Sequence, residues 1–167
     1  MSHVEHKRQA PQSVRCYIVT ISDTRTEETD TAGRAIAELL ASAGHEVIGH
    51  AIVKDDPELV RGAIERQLST PDVDVIITTG GTGISARDST YEVVSSLLQK
   101  RLDGFGELFR MLSYHEIGPA AMMSRACGGI ARGKVILSLP GSVNAVQLAM
   151  TKLILPELGH LVREASR

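Results

Sequence analysis

The sequence predicts an α/β fold, a three-layer α/β/α sandwich whose mostly parallel sheet carries helices on both faces. Short apolar runs rich in β-branched residues alternate with segments whose apolar residues recur at helical spacing. This alternation is typical of βαβ units, and a length of 167 residues suits one domain. We therefore expect a single domain at 14–167, preceded by a polar, flexible arm at 1–13.

The first half of the domain contains three predicted strands separated by two predicted helices. In order, these are a strand at 16–22, a helix that follows Gly33 and ends at Gly44, a strand at 45–53, a helix that begins at Asp56 and Pro57, and a strand at 73–79. Apolar residues of the first helix recur at i, i+3, i+4 and i+7, which predicts one buried face. The third strand is continuously apolar at 75–77, as expected for a strand covered on both sheet faces.

The second half adds helices, a buried strand and one reversal of direction. Helical spacing predicts one helix from residue 89 or 90, another around 105–112, and a last one over 143–153 that Pro156 can kink or break. The run at 134–140 predicts a buried strand, and the glycine-rich segment 128–134 predicts a tight turn between two strands. We therefore expect one antiparallel strand in the sheet.

The segment around residues 105–112 has an excess of apolar side chains. Phe105, Leu108, Phe109 and Met111 supply more apolar surface than one helix face needs. We expect part of this segment to be buried against another subunit.

Composition argues against several classes of protein. The net charge is −2 and the pI is near 6.3, whereas nucleic-acid-binding proteins usually have a strong basic bias. No apolar run approaches the roughly 18 residues of a membrane span, and residues 1–13 lack the apolar segment of a secretion signal. We expect neither a nucleic-acid nor a membrane partner.

The cysteines and histidines carry no evident site chemistry in the sequence. Cys16 and Cys127 each adjoin an apolar segment, so we interpret them as reduced thiols in or near the core, which predicts a cytoplasmic location. The histidines form no metal-like cluster in sequence, and His3 and His6 lie in the arm. No structural metal site is expected there.

Four polar loops follow the carboxyl ends of predicted strands. They are SDTRTEETDTAG at 22–33, VKDDPE at 53–58, GGTGISARDST at 80–90 and PGSVNAV at 140–146. Ligands of open α/β sheets bind outside these strand ends. The pattern predicts a small-molecule site at one rim of the sheet.

The Gly-Gly-Thr-Gly run at 80–83 predicts a phosphate-binding loop. Glycines let the backbone approach a ligand, successive N–H groups bind anions, and the next helix adds its dipole. The alternative is a simple turn. A match to G-x-G-x-x-A at 81–86 does not favour a dinucleotide site, because the loop continues through residues 87–89 before the helix begins.

Acidic residues of the rim predict a magnesium ion beside the phosphate. Ser89 and Glu92 fit a capping box, which leaves Asp88 available. A carboxylate beside a phosphate needs an intervening cation, and Mg²⁺ commonly bridges one or two carboxylates to substrate phosphates. Because Asp56 is explained as a helix cap, Asp55 is a second functional candidate.

Other rim residues have two interpretations each. Arg87 either binds phosphate or is a solvated charge, and Arg125 either binds an anion or pairs with an acid. Ser142 either caps the last helix or binds phosphate, and Asp23 or Asp30 caps the first helix. Ligand contacts are predicted for Ser22, Asp23, Asp30, Gly33, Thr79, Arg87, Arg125 and Ser142.

The motifs together resemble a known family. TTGGTG after a buried strand, RDST, GFGELFR, Ser124-Arg125 and LPGS before a helix are similar to molybdenum cofactor biosynthesis proteins of the MoaB/MogA type. The resemblance covers about Val14 to Leu161, and the segment from 104 to 118 is most similar to the B branch of that family.

The resemblance implies an activity, ligands and partners. Catalytic members transfer AMP from ATP to the terminal phosphate of molybdopterin, with Mg²⁺, and release pyrophosphate. It implies that Gly80, Gly81, Thr82 and Gly83 line the phosphate loop, that Asp88 and Asp55 are catalytic with Asp88 on Mg²⁺, and that Pro140, Gly141 and Ser142 form a second ligand loop. It also implies a trimer or hexamer, and hand-off to a molybdenum insertase.

The sequence departs from the family pattern at two positions, and two alternative functions have to be considered. Ala32 stands where the family often has Ser, and Tyr91 stands where it often has Pro. A non-catalytic molybdopterin-binding oligomer is the main alternative. A nucleotide pyrophosphatase-like enzyme is disfavoured, because the chain has no room for the second domain of such proteins.

Overall fold

The computed structural model describes residues 2–167, which form a six-stranded sheet with helices on both faces. The strands are β1 (Arg15–Ile21), β2 (Glu46–Val53), β3 (Val75–Thr79), β4 (Lys100–Arg101), β5 (Cys127–Ala131) and β6 (Lys134–Leu139). The helices are α1 (His3–Arg8), α2 (Thr31–Ser42), α3 (Pro57–Leu68), α4 (Thr90–Leu97), α5 (Asp103–Ile117), α6 (Val143–Ala149) and α7 (Leu155–Ala165). A 3₁₀ turn spans Gly118–Met123. The predicted three-layer fold is confirmed.

The strand order is β2-β1-β3-β6-β5-β4, and only β5 runs against the other strands. The turn from β5 to β6 has positive φ at both central residues, Arg132 (50°) and Gly133 (75°), the geometry of a two-residue hairpin. The predicted antiparallel strand is therefore confirmed. Strand β4 was not predicted, because it consists of two exposed, charged residues.

Two apolar clusters, one on each face of the sheet, form the core. Val75 and Ile77 of β3 pack towards α2, α6 and α7, whereas Ile76 packs towards α3 and α4. Because consecutive side chains of a strand alternate between faces, burial on both faces requires the uninterrupted apolar run. Each fully buried aliphatic side chain contributes about 1.5–3 kcal/mol.

Local capping signals position the helices that frame the rim. The Asp56 carboxylate accepts from the N–H groups of Glu58 and Leu59, with Pro57 at the first helical position, as predicted. Asp30 is the cap of α2, and its Oδ1 accepts from Gly33 N at 2.9 Å. Helix α2 therefore begins before Gly33, which corrects the predicted start.

The last helical segment is continuous but contains a wide turn. A π-helical turn at Met150–Ile154 joins α6 to α7, immediately before Pro156. Proline lacks an N–H group and its ring clashes with the carbonyl four residues earlier, so the helix here cannot keep regular α geometry. The predicted disturbance at Pro156 is confirmed in this form.

The predicted flexible arm contains helix α1, which lies against α7. Lys7 Nζ donates to Glu157 at 2.8 Å, and Arg163 donates to Gln9 at 2.7 Å. His6 Nδ1 lies 2.9 Å from Glu164 Oε1. Packing of α1 on α7 brings His6 beside His160, which is distant in sequence, so the spacing of the histidines does not predict this proximity.

The cysteines agree with their interpretation. Cys16 and Cys127 are both free and buried, and burial raises the pKa of their thiols to about 12 and about 11. Thiols held protonated in this way are poor nucleophiles. No helix among residues 2–167 combines the length and the apolar character that crossing a membrane requires.

Helix α5 divides its apolar residues between the core and the surface. Phe105 and Phe109 are buried in the core, so the surplus that the sequence predicts lies in Leu108 and Met111. An exposed apolar surface remains, formed by Leu108, Met111, Tyr114, Ile117, Met122 and Met123. We call this set the α5 patch.

Candidate functional site

The carboxyl ends of β1, β2 and β3 meet at one rim, where their loops hydrogen-bond to one another. Asp23, after β1, accepts from the backbone N–H of Asp55, after β2, at 3.1 Å. Arg87, in the β3–α4 loop, donates to both carboxylate oxygens of Asp23 at 2.7–3.2 Å. The structure thus joins three of the loops that the sequence predicts to form a site.

The glycine loop at 80–83 is held by its carbonyl oxygens. Thr90 Oγ1 donates to Gly80 O at 3.0 Å, and Thr90 N donates to Gly81 O at 3.1 Å. Arg125 N and Arg125 Nε donate to Thr82 O and Gly83 O, each at 2.9 Å. Two residues therefore bind all four carbonyls of the loop.

The N–H groups of the same loop behave differently. Gly80 N–H donates to Leu139 O at 2.9 Å, but those of Gly81, Thr82 and Gly83 find no acceptor among residues 2–167. Successive backbone N–H groups of a loop can form an anion-binding nest. The loop can therefore offer three donors to a ligand without losing a bond of its own.

Close packing explains the glycines themselves. Gly80 has φ of +105°, and a Cβ there would lie 2.2 Å from Ile21 O. Gly81 has φ of +72°, and its Cβ would lie 2.2 Å from Thr90 Oγ1. The glycines are thus required by the fold, and the free amides, not the glycines, favour a ligand.

Asp88 has one engaged and one free carboxylate oxygen. Its Oδ2 accepts from Ser85 N at 3.0 Å and from Ser85 Oγ at 2.7 Å, whereas no donor within the described residues bonds to Oδ1. The predicted capping box is wrong: the Ser89 hydroxyl donates to Asp55 Oδ1 at 3.3 Å, and Glu92 pairs with Arg125. Asp88 can bind a ligand because its Oδ1 accepts no hydrogen bond from the described residues, not because Ser89 caps α4.

Arg125 pairs with an acid, which decides between its two interpretations. Its guanidinium forms an ion pair with Glu92, donates weakly to Asp88 O at 3.3 Å and stacks 5.1 Å from the ring centre of Tyr91. The hydrogen bond from Arg125 holds the pKa of Glu92 below its usual value. Arg125 is thus a clamp on the loop whose own charge is balanced.

Arg87 is likewise balanced, because it pairs with Asp23. The hydrogen bond from Arg87 is the main cause that lowers the pKa of Asp23, and the backbone N–H of Asp55 adds to it. Arg87 is therefore not an isolated solvated charge. While it pairs with the Asp23 carboxylate, its guanidinium is not directed to a ligand phosphate.

Asp55 lacks a basic partner among the described residues. Burial raises the pKa of its carboxyl, and the nearby charges of Asp88 and Asp23 raise it further, while the Ser89 hydroxyl opposes them. The Asp55 carboxylate lies beside the loop, since its Oδ1 is 3.4 Å from an ideal Cβ on Gly81. The rim thus carries two unneutralised acids, Asp55 and Asp88, next to three free amides.

The first rim loop is organised from within. Asp30 is 2% exposed, and besides capping α2 its Oδ2 accepts from Thr20 Oγ1 at 2.7 Å and lies 3.0 Å from His50 Nε2. Ser22 Oγ accepts from the N–H groups of Thr24 and Arg25. These contacts account for Ser22, Asp30 and the buried Gly33 as parts of the fold.

The loop after β6 packs against the glycine loop. Thr79 Oγ1 donates to Pro140 O at 2.8 Å, and an ideal Cβ on Gly141 would lie 3.4 Å from Gly80 Cα. Ser142 caps α6, accepting from Ala145 N at 3.2 Å. A small cavity of about 90 Å³ lies where this loop meets the first rim loop, and Ala32 contributes to its wall.

A cleft of about 540 Å³ opens on the other side of the glycine loop. It is lined by Pro57, Arg61, Ile84, Ser85, Ala86, Asp88, Ser89, Glu92, Val93 and Arg125. Sequence reasoning missed Thr90, Ser85 and Arg61. The only signal for Thr90 and Ser85 was their presence in the loop motif, and Arg61 looks like any solvated helix residue.

Comparisons with known proteins identify the family. The family described as "Probable molybdopterin binding domain" matches residues 17–160. Molybdenum cofactor biosynthesis protein B of Bacillus cereus is 60% identical over 168 residues, covering 100% of this chain and 99% of that protein.

Solved structures give the same result. A crystal structure of molybdenum cofactor biosynthesis protein B matches with a TM-score of 0.91 and 59% identity, covering 94% of this chain and 98% of that one. The tungsten cofactor synthesizing protein MoaB from Pyrococcus furiosus matches with a TM-score of 0.85 and 38% identity, covering 95% and 100%. This chain therefore belongs to the molybdenum cofactor biosynthesis protein B family, as its motifs predict.

Proposed function

We propose that this chain adenylylates molybdopterin with ATP and Mg²⁺. An oxygen of the terminal phosphate of molybdopterin forms a bond to the α-phosphorus of ATP, the bond from that phosphorus to the bridging oxygen breaks, and pyrophosphate leaves. The observation that carries the proposal is the set of three free amides, at Gly81, Thr82 and Gly83, beside two unneutralised carboxylates.

The amides supply the phosphate-binding part of the proposal. Because Thr90 and Arg125 hold the loop by its carbonyls, the N–H groups are fixed before a ligand arrives. Preorganised donors aimed at a phosphate stabilise developing charge without reorganisation at the moment of reaction. The attacking phosphate is already anionic, so positioning of the two substrates can replace a general base.

The carboxylates fit a magnesium ion that is bound together with substrate phosphates. Asp88 Oδ1 and the Asp55 carboxylate are hard oxygen ligands. Burial is the main cause that raises the pKa of Asp55, and the charges of Asp88 and Asp23 add a repulsion that a cation relieves. Acids of this rim form no three-ligand cluster within residues 2–167. Ligands from the substrate are therefore needed to complete the coordination. The chemistry that Mg²⁺ supplies when bound is neutralisation of phosphate charge.

The wider assignment follows from the activity. The adenylylated pterin is a substrate for metal insertion, so we propose hand-off to a molybdenum insertase in the cytoplasm. A relative from Pyrococcus furiosus is described as synthesising a tungsten cofactor. Either metal is therefore compatible with the proposed step, which precedes insertion.

Asp88→Asn tests the proposal directly. The amide keeps the size of the side chain and can still accept from Ser85 N, but it loses the charge that attracts a cation. We expect pyrophosphate release with ATP, Mg²⁺ and molybdopterin to fall at least about 100-fold, as when one charge-stabilising group is removed, with unchanged thermal unfolding. The matched control is Asp72→Asn, which removes an exposed acid that pairs with Arg15 at the start of β1.

Two results would contradict the proposal. Full activity of Asp88→Asn would show that this carboxylate does not act on the cation. A wild-type protein that binds molybdopterin but forms no adenylylated product would show the binding-only alternative.

A pH-dependent prediction follows from Asp55. Its pKa is raised in the folded state, so ionised Asp55 destabilises the protein, and this penalty develops as pH rises from the unfolded pKa of about 3.9 through the raised folded value. We expect Asp55→Asn to increase the free energy of unfolding at pH 7 and to lose that gain towards pH 4. Urea denaturation at both pH values measures this, with Asp72→Asn as control. A gain that is larger at pH 4 than at pH 7 would contradict the account.

We further propose that the chain self-associates into a trimer or hexamer through the α5 patch. Its six side chains are between 48% and 75% exposed, and they extend over both α5 and the 3₁₀ turn that follows it. Contiguous apolar surface of this kind marks interaction sites. Pairing with a second copy removes it from water without requiring another partner.

Light scattering at micromolar concentration tests self-association. The wild-type chain is expected as a trimer or hexamer, and Met122→Asp should dissociate it because a charge in an apolar interface is left unpaired. Leu59→Asp is the control, since Leu59 is similarly exposed but lies on α3. A monomeric wild-type chain, or equal dissociation by both variants, would contradict the proposal.

A further inference from the structure

Helices α1 and α7 bring together ligand atoms that suit a metal ion. His6, His160 and Glu164 each offer one ligand atom, and these three atoms lie within 4.8 Å of one another. His6 Nδ1 is 2.9 Å and His160 Nε2 is 3.9 Å from Glu164 Oε1. Tetrahedral zinc with bonds of about 2.0–2.1 Å separates its ligands by roughly 3.3 Å. The observed spacing therefore needs only small side-chain movements.

The orientation of His160 supplies an independent argument. Its Nδ1 lies 2.9 Å from Glu157 Oε2, which leaves Nε2 as the atom that faces Glu164. Metal-binding histidines almost always donate their other ring N–H to a carboxylate or carbonyl, which sets the tautomer. Glu157 is itself held by Lys7 of α1, at 2.8 Å.

Positive side chains around Glu164 do not block the site. Arg167 donates to the second oxygen, Oε2, at 3.2 Å and more weakly to Oε1 at 3.4 Å, so it keeps its shorter bond when Oε1 binds a metal. Arg163 donates to Oε1 at 2.9 Å but also to Gln9 at 2.7 Å, so it retains a partner if it leaves the carboxylate.

We propose that His6 Nδ1, His160 Nε2 and Glu164 Oε1 bind one Zn²⁺ ion that fastens helix α1 to α7. Two imidazoles and one carboxylate are a known zinc ligand set that leaves a fourth position open to water. Glu157 is a positioning residue for His160. The cluster is separate from the rim, since the end of α7 lies near the β5–β6 hairpin, where Ala165 O is 3.8 Å from an ideal Cβ on Gly133. Zinc there would therefore act on the arm and not on the proposed chemistry.

Zinc titration of untagged, chelator-stripped full-length protein tests the site. We expect one Zn²⁺ per chain by calorimetry with ZnCl₂. His6→Gln and His160→Gln should each weaken binding at least about tenfold. His3→Gln is the matched control, because His3 lies on the same helix but outside the cluster. Glu157→Gln should reduce affinity by less than loss of a ligand, and Co²⁺ in place of Zn²⁺ should give the visible spectrum of a tetrahedral site.

A second readout measures the arm itself. Trypsin cleaves after Lys7 and Arg8, and bound zinc should slow that cleavage in wild-type protein but not in His6→Gln. Because His6 lies outside the apolar core, this variant keeps the test valid even if His160→Gln unfolds. Zinc binding that is equal in wild type, His6→Gln and His3→Gln, or the lack of any zinc binding by wild type, would overturn the proposal.

Discussion

The candidate site depends on how two residues hold the glycine loop. Thr90 and Arg125 donate to the four carbonyl oxygens at 80–83, and no other contact fixes so much of the loop. The N–H groups of Gly81, Thr82 and Gly83 are left without an acceptor among residues 2–167. Because Thr90 begins α4 and Arg125 precedes β5, the loop is tied to two core elements at once. The position of the loop is therefore tied to the elements that flank it.

The acids at the rim are of two kinds: some pair with a guanidinium group and others have no basic partner among the described residues. Asp23 and Glu92 have guanidinium partners that lower their pKa values, whereas burial and neighbouring acids raise the pKa of Asp55. Perturbed acids in a cleft are more frequent at functional sites than elsewhere. The ion pairs hold the loops in position, and Asp55 and Asp88 are the acids that the proposed cation would neutralise.

Local sequence signals were enough to predict most of the fold. The apolar run at 75–77, the Asp56 cap and the Arg132–Gly133 hairpin each express a preference of a few adjacent residues, and each was predicted correctly. The prediction of a capping box at Ser89 is wrong because the Ser89 hydroxyl donates to Asp55, 34 residues earlier. No local pattern can show such a hydrogen bond. The hydrogen bonds from Arg125 to the glycine loop and the packing of α1 on α7 also join residues that are distant in sequence. Local patterns therefore do not predict them. For the site, the sequence correctly indicated which loops meet, but not which atoms remain free.

The proposed function requires the amides of Gly81, Thr82 and Gly83 to bind phosphate. Amide NMR of ¹⁵N-labelled protein during titration with ATP and Mg²⁺ follows these three groups individually. If they bind phosphate, the three resonances will move together with one saturable dissociation constant, while the amide of Gly133, at the opposite end of β6, stays in place. Saturable binding of ATP that leaves the three amide resonances unmoved would contradict it.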